Sequence, residues 1–327
     1  MIRHPIFVVG MPRSGTTLLS AVLDAHSQIS ISPETHFYTR CRSEARSNEP
    51  LRRVWARLQQ QPGFRDMAFS ADERRRVWER LRDRSDPTPP ALLRAVEETY
   101  AERSGATAWG EKTPDHLPHV PTLLRDFPDA VALAIVRDPR DVCLSLRGLP
   151  WNQDTLPESA WKWRRYAQLT EQFADDYGGR FLEVRYEDLL SAPEKTLRRV
   201  LDWLDAPFED ELLSFHRRGA GPADPEREPW KEKADRPIDP TNKEKWRGQM
   251  GPAERWVVQV VTRPLLRTKG YPAPPVPLTP AFFRNLGALL LRSLNDLATR
   301  LLRRWRTPSR EEGDHRPRWI RQSDAVD

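Results

Sequence analysis

The feature that most limits what this chain can fold into is the run Ile6-Phe7-Val8-Val9-Gly10-Met11-Pro12-Arg13-Ser14-Gly15-Thr16-Thr17-Leu18-Leu19. Four β-prone apolar residues in unbroken succession predict a short strand buried on both faces. Gly10 to Gly15 supply a tight turn, after which Leu18, Leu19, Val22 and Leu23 recur at helical spacing. A strand, a glycine-containing loop and a helix N-terminus, in that order, aim backbone N–H groups and the positive end of a helix dipole at one point. That arrangement suits a phosphate or another tetrahedral anion. Ser14, Thr16 and Thr17 add hydroxyls around the first turn, and Arg13 adds a cation.

The glycine spacing matches the nucleoside-triphosphate loop G-x-x-x-x-G-K-[ST]. Thr16, however, stands where that loop carries its lysine, and the positive charge sits three residues earlier at Arg13. A P-loop kinase is therefore an alternative reading, weakened by the missing lysine and by the lack of a clear magnesium-holding aspartate. A third reading, from another class, is a non-catalytic anion-binding or membrane-associated module.

Composition narrows the setting. The chain has 327 residues, with 53 Lys or Arg against 47 Asp or Glu for a net charge of +6, and a mean hydropathy of -0.72. No apolar stretch approaches the ~20 residues needed to span a bilayer. Gly10, Pro12 and Arg13 break the opening run before any small-residue cleavage site, unlike a secretory signal. Cys41 and Cys143 form neither a metal-ligand spacing nor a disulfide framework, so a reducing, cytoplasmic setting and no metal are expected. Much of the excess arginine lies in the last forty or so residues. It reads as a solvated helix face, and no nucleic-acid partner is expected.

Along the chain, Ile29 and Ile31 alternate with serines as a short second strand that Pro33 ends. Glu34 then lies just past a strand, at the sheet edge where open α/β sheets bind ligands. Residues 40 to 104 carry spaced apolar residues such as Val54, Leu58, Val77, Leu81, Leu92 and Val96, which predict an insertion of amphipathic helices. Regular α/β pattern resumes at Ala108-Trp109-Gly110-Glu111-Lys112. Ala130 to Val136 predicts the most deeply buried strand, delivering Arg137-Asp138-Pro139-Arg140-Asp141. Asp138 caps the next helix with Pro139 near N1, and Ser145 follows on it, so Arg137 and Ser145 form a second candidate anion site.

Phe181 to Tyr186 predicts a further strand, and residues 217 to 245 a charged, proline-broken loop ending in the cation-aromatic-cation group Lys245-Trp246-Arg247. Pro272 to Pro280 reads as a linker. Beyond it Leu286, Leu290, Leu294, Leu297 and Leu301 form an apolar stripe flanked by Arg284, Arg292, Arg300, Arg303 and Arg304. Such a helix suits a membrane surface, a partner or second copy, or the domain itself. The expected boundaries are thus a domain at 1–271, a linker at 272–280 and a basic helix and tail at 281–327.

Pro12-Arg13-Ser14-Gly15-Thr16-Thr17 after a first strand, Arg137 with Ser145, Tyr186 within Arg-Tyr-Glu-Asp-Leu, and a late Lys245-Trp246 come in the order of a known family. Over roughly residues 5 to 250 the chain resembles the sulfotransferases that use 3′-phosphoadenosine 5′-phosphosulfate (PAPS). The likeness is strongest to the bacterial and Golgi branches with Pro-Arg-Ser-Gly-Thr-Thr, such as the tyrosylprotein sulfotransferases. The resemblance implies an α/β fold with a central parallel sheet flanked by helices. It also implies transfer of a sulfuryl group from PAPS, leaving 3′-phosphoadenosine 5′-phosphate (PAP).

In site terms it implies that Arg13, Ser14, Gly15, Thr16, Thr17 and Leu18 hold the 5′-phosphosulfate and that Arg137 and Ser145 hold the 3′-phosphate. Tyr186 would complete the pocket, and Lys245, Trp246 and Arg247 would close over it as a basic lid. Arg13 and Lys112 would neutralise charge on the transferring group and leaving phosphate. Glu34 matches the general base of the tyrosylprotein branch. His116, four residues after Lys112, is the alternative base by analogy with the cytosolic branch and ranks behind Glu34. Two departures bear on the acceptor. No serine occurs between Ser214 and Lys245, where the tyrosylprotein branch has one, and the secreted branch's anchor and disulfides are not evident. The expected acceptor is therefore a hydroxyl or amine of a small molecule, lipid or carbohydrate.

Overall fold

The computed structural model describes residues 4–42, 49–82, 84, 87–218 and 236–306. Strands β1 (Ile6–Gly10), β2 (Ile29–Ser32), β3 (Ala108–Lys112), β4 (Val131–Val136) and β5 (Phe181–Arg185) form a sheet in the order β2-β3-β1-β4-β5. Every pairing is parallel. β1, β3 and β4 are buried at every residue, as central strands covered on both faces must be.

Parallel neighbours need crossovers, and helices supply them. α1 (Thr16–Asp24) joins β1 to β2. The long β2-to-β3 connection carries α2 (Leu51–Gln60), α3 (Pro62–Asp66), α4 (Ala71–Arg82) and α5 (Pro89–Ala101), the expected helical insertion. α6 (Val120–Asp126) leads to β4, and α7 (Pro139–Leu146) and α8 (Leu156–Tyr177) lead to β5. After β5 come α9 (Tyr186–Ser191), α10 (Pro193–Trp203), α11 (Trp246–Gln249), α12 (Pro252–Leu266) and α13 (Pro280–Arg306). Tyr186, expected at a strand end, instead opens α9.

Register decides where the chemistry gathers. Val8 pairs with Lys112, and Ser32 with Glu111. The segments leaving β1, β2 and β3 therefore emerge at one carboxyl edge, the ligand-binding edge of open α/β sheets.

By its internal contacts the chain divides into two units, Met1–Val136 with Thr170–Pro240 and Arg137–Leu169 with Thr241–Asp327. The first contains the sheet and a core that includes Ile6, Val8, Leu19, Leu133, Ile135, Val184, Leu197 and Val200. Each such side chain contributes about 1.5–3 kcal/mol by leaving water. The second has a smaller core of Cys143, Ala160, Trp246, Met250 and Val258.

The boundaries expected at 271 and 280 do not coincide with these units. α13 belongs to the second unit, where Arg300 Nη2 lies 2.7 Å from both carboxylate oxygens of Glu158 and Phe282 packs edge-on to Trp256. Most of the charged loop expected at 217 to 245 falls outside the described residues, as do the side chains of Leu301, Arg303 and Arg304.

Candidate active site

The loop after β1 is wound tightly. Gly10, Arg13 and Gly15 have φ of 152°, 73° and 106°, so Arg13 sits in a left-handed conformation that costs a non-glycine residue about 1–3 kcal/mol. Glycine is required at 15 for a second reason, since a Cβ there would lie 2.3 Å from Cδ2 of Tyr186. The Tyr186 ring thus closes the back of the loop, and it is only 3% exposed. α1 begins at Thr16 with no acidic residue in its first turn and no side-chain cap, leaving its N-terminal N–H groups to whatever occupies the loop. Ser14 is buried, and its Oγ has no hydrogen-bond partner. An orphaned buried hydroxyl costs about 1–3 kcal/mol, a cost that an oxyanion seated in the loop would remove. Thr17 and Leu18 are partly buried on the same first turn.

At the same sheet edge, Lys112 ends β3 with its Nζ 2.5 Å from Oε1 of Glu34. Lys112 is nearly buried, and the Glu34 side chain is 20% exposed. The other Glu34 oxygen, Oε2, lies 3.6 Å from Nε2 of His36. His36 has a left-handed backbone, φ 50°, and its N–H donates to Thr113 Oγ1. Burial pulls the His36 imidazole below its ordinary pKa against the opposing pull of Glu34. The sequence reading passed over His36. The available signal was its place two residues beyond Glu34, spacing that returns a side chain to the same side of an extended segment.

The neighbouring pair on β3 behaves differently. Glu111 is fully buried, and its Oε1 accepts from Thr35 N at 3.0 Å, from Thr35 Oγ1 at 2.8 Å and from Thr113 Oγ1. Its Oε2 lies 3.0 Å from His116 Nδ1, while His116 Nε2 accepts from Tyr38 N at 3.1 Å. Burial alone would raise the Glu111 pKa, but His116 and the two threonines outweigh it and hold the carboxyl below its ordinary value. His116 is 0% exposed with both ring nitrogens engaged by protein groups. In this structure the imidazole of the alternative base spends both nitrogens on protein partners and ties the segment after β2 to β3.

In the second unit, α7 starts as expected, with Asp138 accepting from Arg140 N at 2.9 Å. Arg137 Nη2 donates to Asn242 O at 3.1 Å and lies 3.7 Å from Asp141 Oδ2, and Trp163 Nε1 donates to Arg137 O at 2.8 Å. Ser145 is partly buried two turns into the helix. The lid expected at 245–247 takes a different form. Trp246 is fully buried in the unit's core, its backbone N–H donates to Asp141 Oδ1 at 3.0 Å, and the Arg140 guanidinium lies 3.7 Å from its ring centroid. Arg247 is half exposed and paired with Glu244 at 2.8 Å. Lys245 is partly buried.

The Sulfotransferase family pattern matches residues 5–210, well over half of the chain. The chain belongs to the sulfotransferase family. A protein-tyrosine sulfotransferase 1 of Danio rerio is 26% identical over 274 residues, covering 81% of this chain and 72% of that protein. Protein-tyrosine sulfotransferase A of Caenorhabditis elegans is 26% identical over 64% of this chain and 51% of its own length. The chain thus spans about half of the nematode relative and a larger share of the fish one. Among solved structures, a sulfotransferase domain from the curacin biosynthetic pathway superposes with a TM-score of 0.58 at 21% identity. It covers 84% of this chain and 99% of that domain, and it shares the fold.

The family match takes in the first loop, Glu34, Lys112, Arg137, Ser145 and Tyr186 and ends before Lys245. Besides His36, sequence reasoning missed Arg140. Its side chain is fully buried, held by Asp138 at 2.8 and 2.6 Å. An arginine two residues after a helix cap looks like a solvated charge until its partner more than a hundred residues away is known.

Proposed function

We propose that this sulfotransferase moves a sulfuryl group from PAPS to a hydroxyl, with Glu34 as general base and Lys112 and Arg13 as the neutralising cations. The observation that carries the reading is the Glu34–Lys112 pair at 2.5 Å, on the sheet edge where the anion loop also emerges. PAPS, when bound, supplies an activated sulfuryl group and a phosphate leaving group. The donor set fits such a group: an orphaned Ser14 hydroxyl, uncapped N–H groups of α1, and Arg13. Arg137 and Ser145 are assigned to a 3′-phosphate, with Lys245 as an added cation.

Each residue's task follows from its chemistry. Glu34 takes the acceptor's proton as its oxygen becomes nucleophilic, a contribution typically of ~10²–10⁴ in rate. Lys112 is positioned to exchange its pairing with Glu34 for charge developing on the leaving oxygen, and Arg13 with the loop N–H groups holds the equatorial oxygens. For the acceptor, a tyrosine hydroxyl in a peptide is supported by the names of the 26%-identical relatives. A small-molecule, lipid or carbohydrate hydroxyl is the alternative, and Cys41 and Cys143, both buried and free, offer no disulfide framework of the secreted branch.

Two measurements test the reading. Calorimetry should show PAP binding far more tightly than adenosine 5′-phosphate, because without the 3′-phosphate a buried guanidinium gains no anion. Equal affinities would sink the assignment. Radiolabelled PAPS offered with tyrosine peptides, simple phenols, sugars and lipids should label one class, and label on peptide alone would discard the small-molecule acceptor.

A further inference from the structure

The helical insertion between β2 and β3 touches the segment that carries Glu34 at three places. Arg57, on α2, donates from Nε and Nη2 to the carbonyl of Cys41 at 3.0 and 2.6 Å. Gln61, between α2 and α3, accepts from Arg40 Nη1 at 3.4 Å. The tightest approach is at Gly63 on α3, where a Cβ would lie 2.1 Å from the carbonyl oxygen of Glu34, 2.7 Å from its carbonyl carbon and 2.8 Å from its nitrogen. All three are backbone atoms, so a side chain at 63 cannot be accommodated by a rotamer change.

We infer that the α2–α3 corner of the insertion is the clamp that positions the base, with Gly63 as its contact residue, an inference that rests on Glu34 being the base. The next residue is anchored as well, since Thr35 N–H and Oγ1 bond to the buried Glu111 at 3.0 and 2.8 Å. The Glu34 backbone is therefore held both by a rigid carboxylate on β3, through Thr35, and by bare backbone on α3. Moving a Cβ from 2.1 Å to an ordinary contact at 3.4 Å requires a shift of about 1.3 Å in one partner or the other. A displacement of that size, carried to the carboxylate, stretches the 2.5 Å contact beyond hydrogen-bond distance, and ~1 Å misplacements cost ~10²-fold in rate where geometry carries catalysis. The insertion thereby acts on turnover through Glu34 rather than through the nucleotide.

The test is Gly63→Ala, read against Glu34→Gln and the double variant, with PAPS as donor and 4-nitrophenol and a tyrosine peptide as acceptors. Gly63→Ala should lower kcat by about 10- to 100-fold with PAP affinity within about threefold. In the Glu34→Gln background it should change kcat by less than about twofold, since its target is already gone. A crystal structure of Gly63→Ala should show Lys112 Nζ and Glu34 Oε1 more than 3.5 Å apart, a readout that needs no acceptor. If the pair keeps its distance and Gly63→Ala turns over like the parent, the clamp is refuted. If Glu34→Gln itself retains turnover, the base assignment fails instead, and the crystal distance still judges whether Gly63 positions Glu34. Where Gly63→Ala does not fold, Arg57→Gln carries the same test through the Cys41 carbonyl. It should lower kcat by about threefold to tenfold at constant PAP affinity, and an unchanged kcat would overturn the inference.

Discussion

Two acid–base pairs lie one residue apart on β3, and they have opposite characters. Glu111 with His116 is sealed, every polar atom of the pair engaged by a protein partner and neither side chain exposed. Lys112 and Glu34 meet at 2.5 Å, and the Glu34 side chain keeps 20% of its surface open. Alternation along a strand sends residues 111 and 112 to opposite faces, so one backbone step separates a scaffold from a reactive edge. A histidine four residues after Lys112 is therefore not a base by proximity. What decides is whether a ring nitrogen is left for substrate.

The largest expected effect falls on the sealed pair. Glu111→Ala leaves His116, Thr35 and Thr113 without their common acceptor in a dry site. It should lower folding stability by about 3–5 kcal/mol, the usual result of removing one partner of a buried pair, read as a fall in the urea midpoint. A variant of near-parent stability with lost turnover would reverse the comparison and make Glu111 a reacting group.

The open pair should respond in rate instead. Glu34→Gln keeps size but cannot take a proton, so kcat should fall by ~10² or more while PAP affinity and urea midpoint stay near the parent's. Loss of stability as large as that of Glu111→Ala would show the two pairs to be one scaffold.

How much of this was legible beforehand follows the range of the interaction. β1 and β4 could be read because they are buried on both faces and so appear as unbroken apolar runs, whereas β3 ends in Glu111 and Lys112. The loop could be read because its glycines and hydroxyls are contiguous. Glu34, two residues past β2, and Lys112, the last residue of β3, were singled out because the family resemblance assigns roles to them at these strand ends. Glu111 was hidden, since a glutamate inside a strand reads as a surface residue until Thr35, 76 positions away, is seen to donate to it. Arg140 on Trp246 and Gly63 on Glu34 were hidden for the same reason: their meaning lies in a contact that no periodicity encodes. The division into two interleaved units is likewise a property of long-range packing, and composition changes at Pro272 to Pro280 pointed elsewhere.

A third carboxyl sharpens the contrast through pH. Glu97 on α5 is fully buried, and burial, then the charge of Glu111, pushes its pKa well above the ordinary value. A carboxyl whose folded pKa is raised stabilises fully below its unfolded pKa, near 4.3, and that stabilisation is lost as pH rises toward the folded value. Glu97→Gln has no proton to lose. Its stability relative to the parent should therefore increase from pH 5 to 8, by at most about 1.4 kcal/mol per pH unit. Parallel stability curves for parent and variant would mean that burial and the charge of Glu111 do not raise the Glu97 pKa in the folded protein.

The smallest effect is expected at His36, and it asks whether the open pair is really a trio. His36 faces Glu34 at 3.6 Å, and Arg40, His116 and Asp115 also act on it, with Lys112 reaching it only through Glu34. Burial lowers its pKa, so at pH 8 the imidazole is neutral, and it gains a proton only below its ordinary range near 6.5. Once cationic, it would join Lys112 in holding the Glu34 carboxylate and make that carboxylate a weaker base. The parent's kcat should thus fall on the acidic side, below pH 6.5, where His36 becomes cationic. His36→Gln should lack that fall and run about threefold faster than the parent on the acidic side, with little change at pH 8. If His36→Gln is instead inactive at pH 8 with PAP affinity intact, the imidazole is the proton acceptor, and Glu34 belongs with Glu111 among the residues that only hold the edge in place.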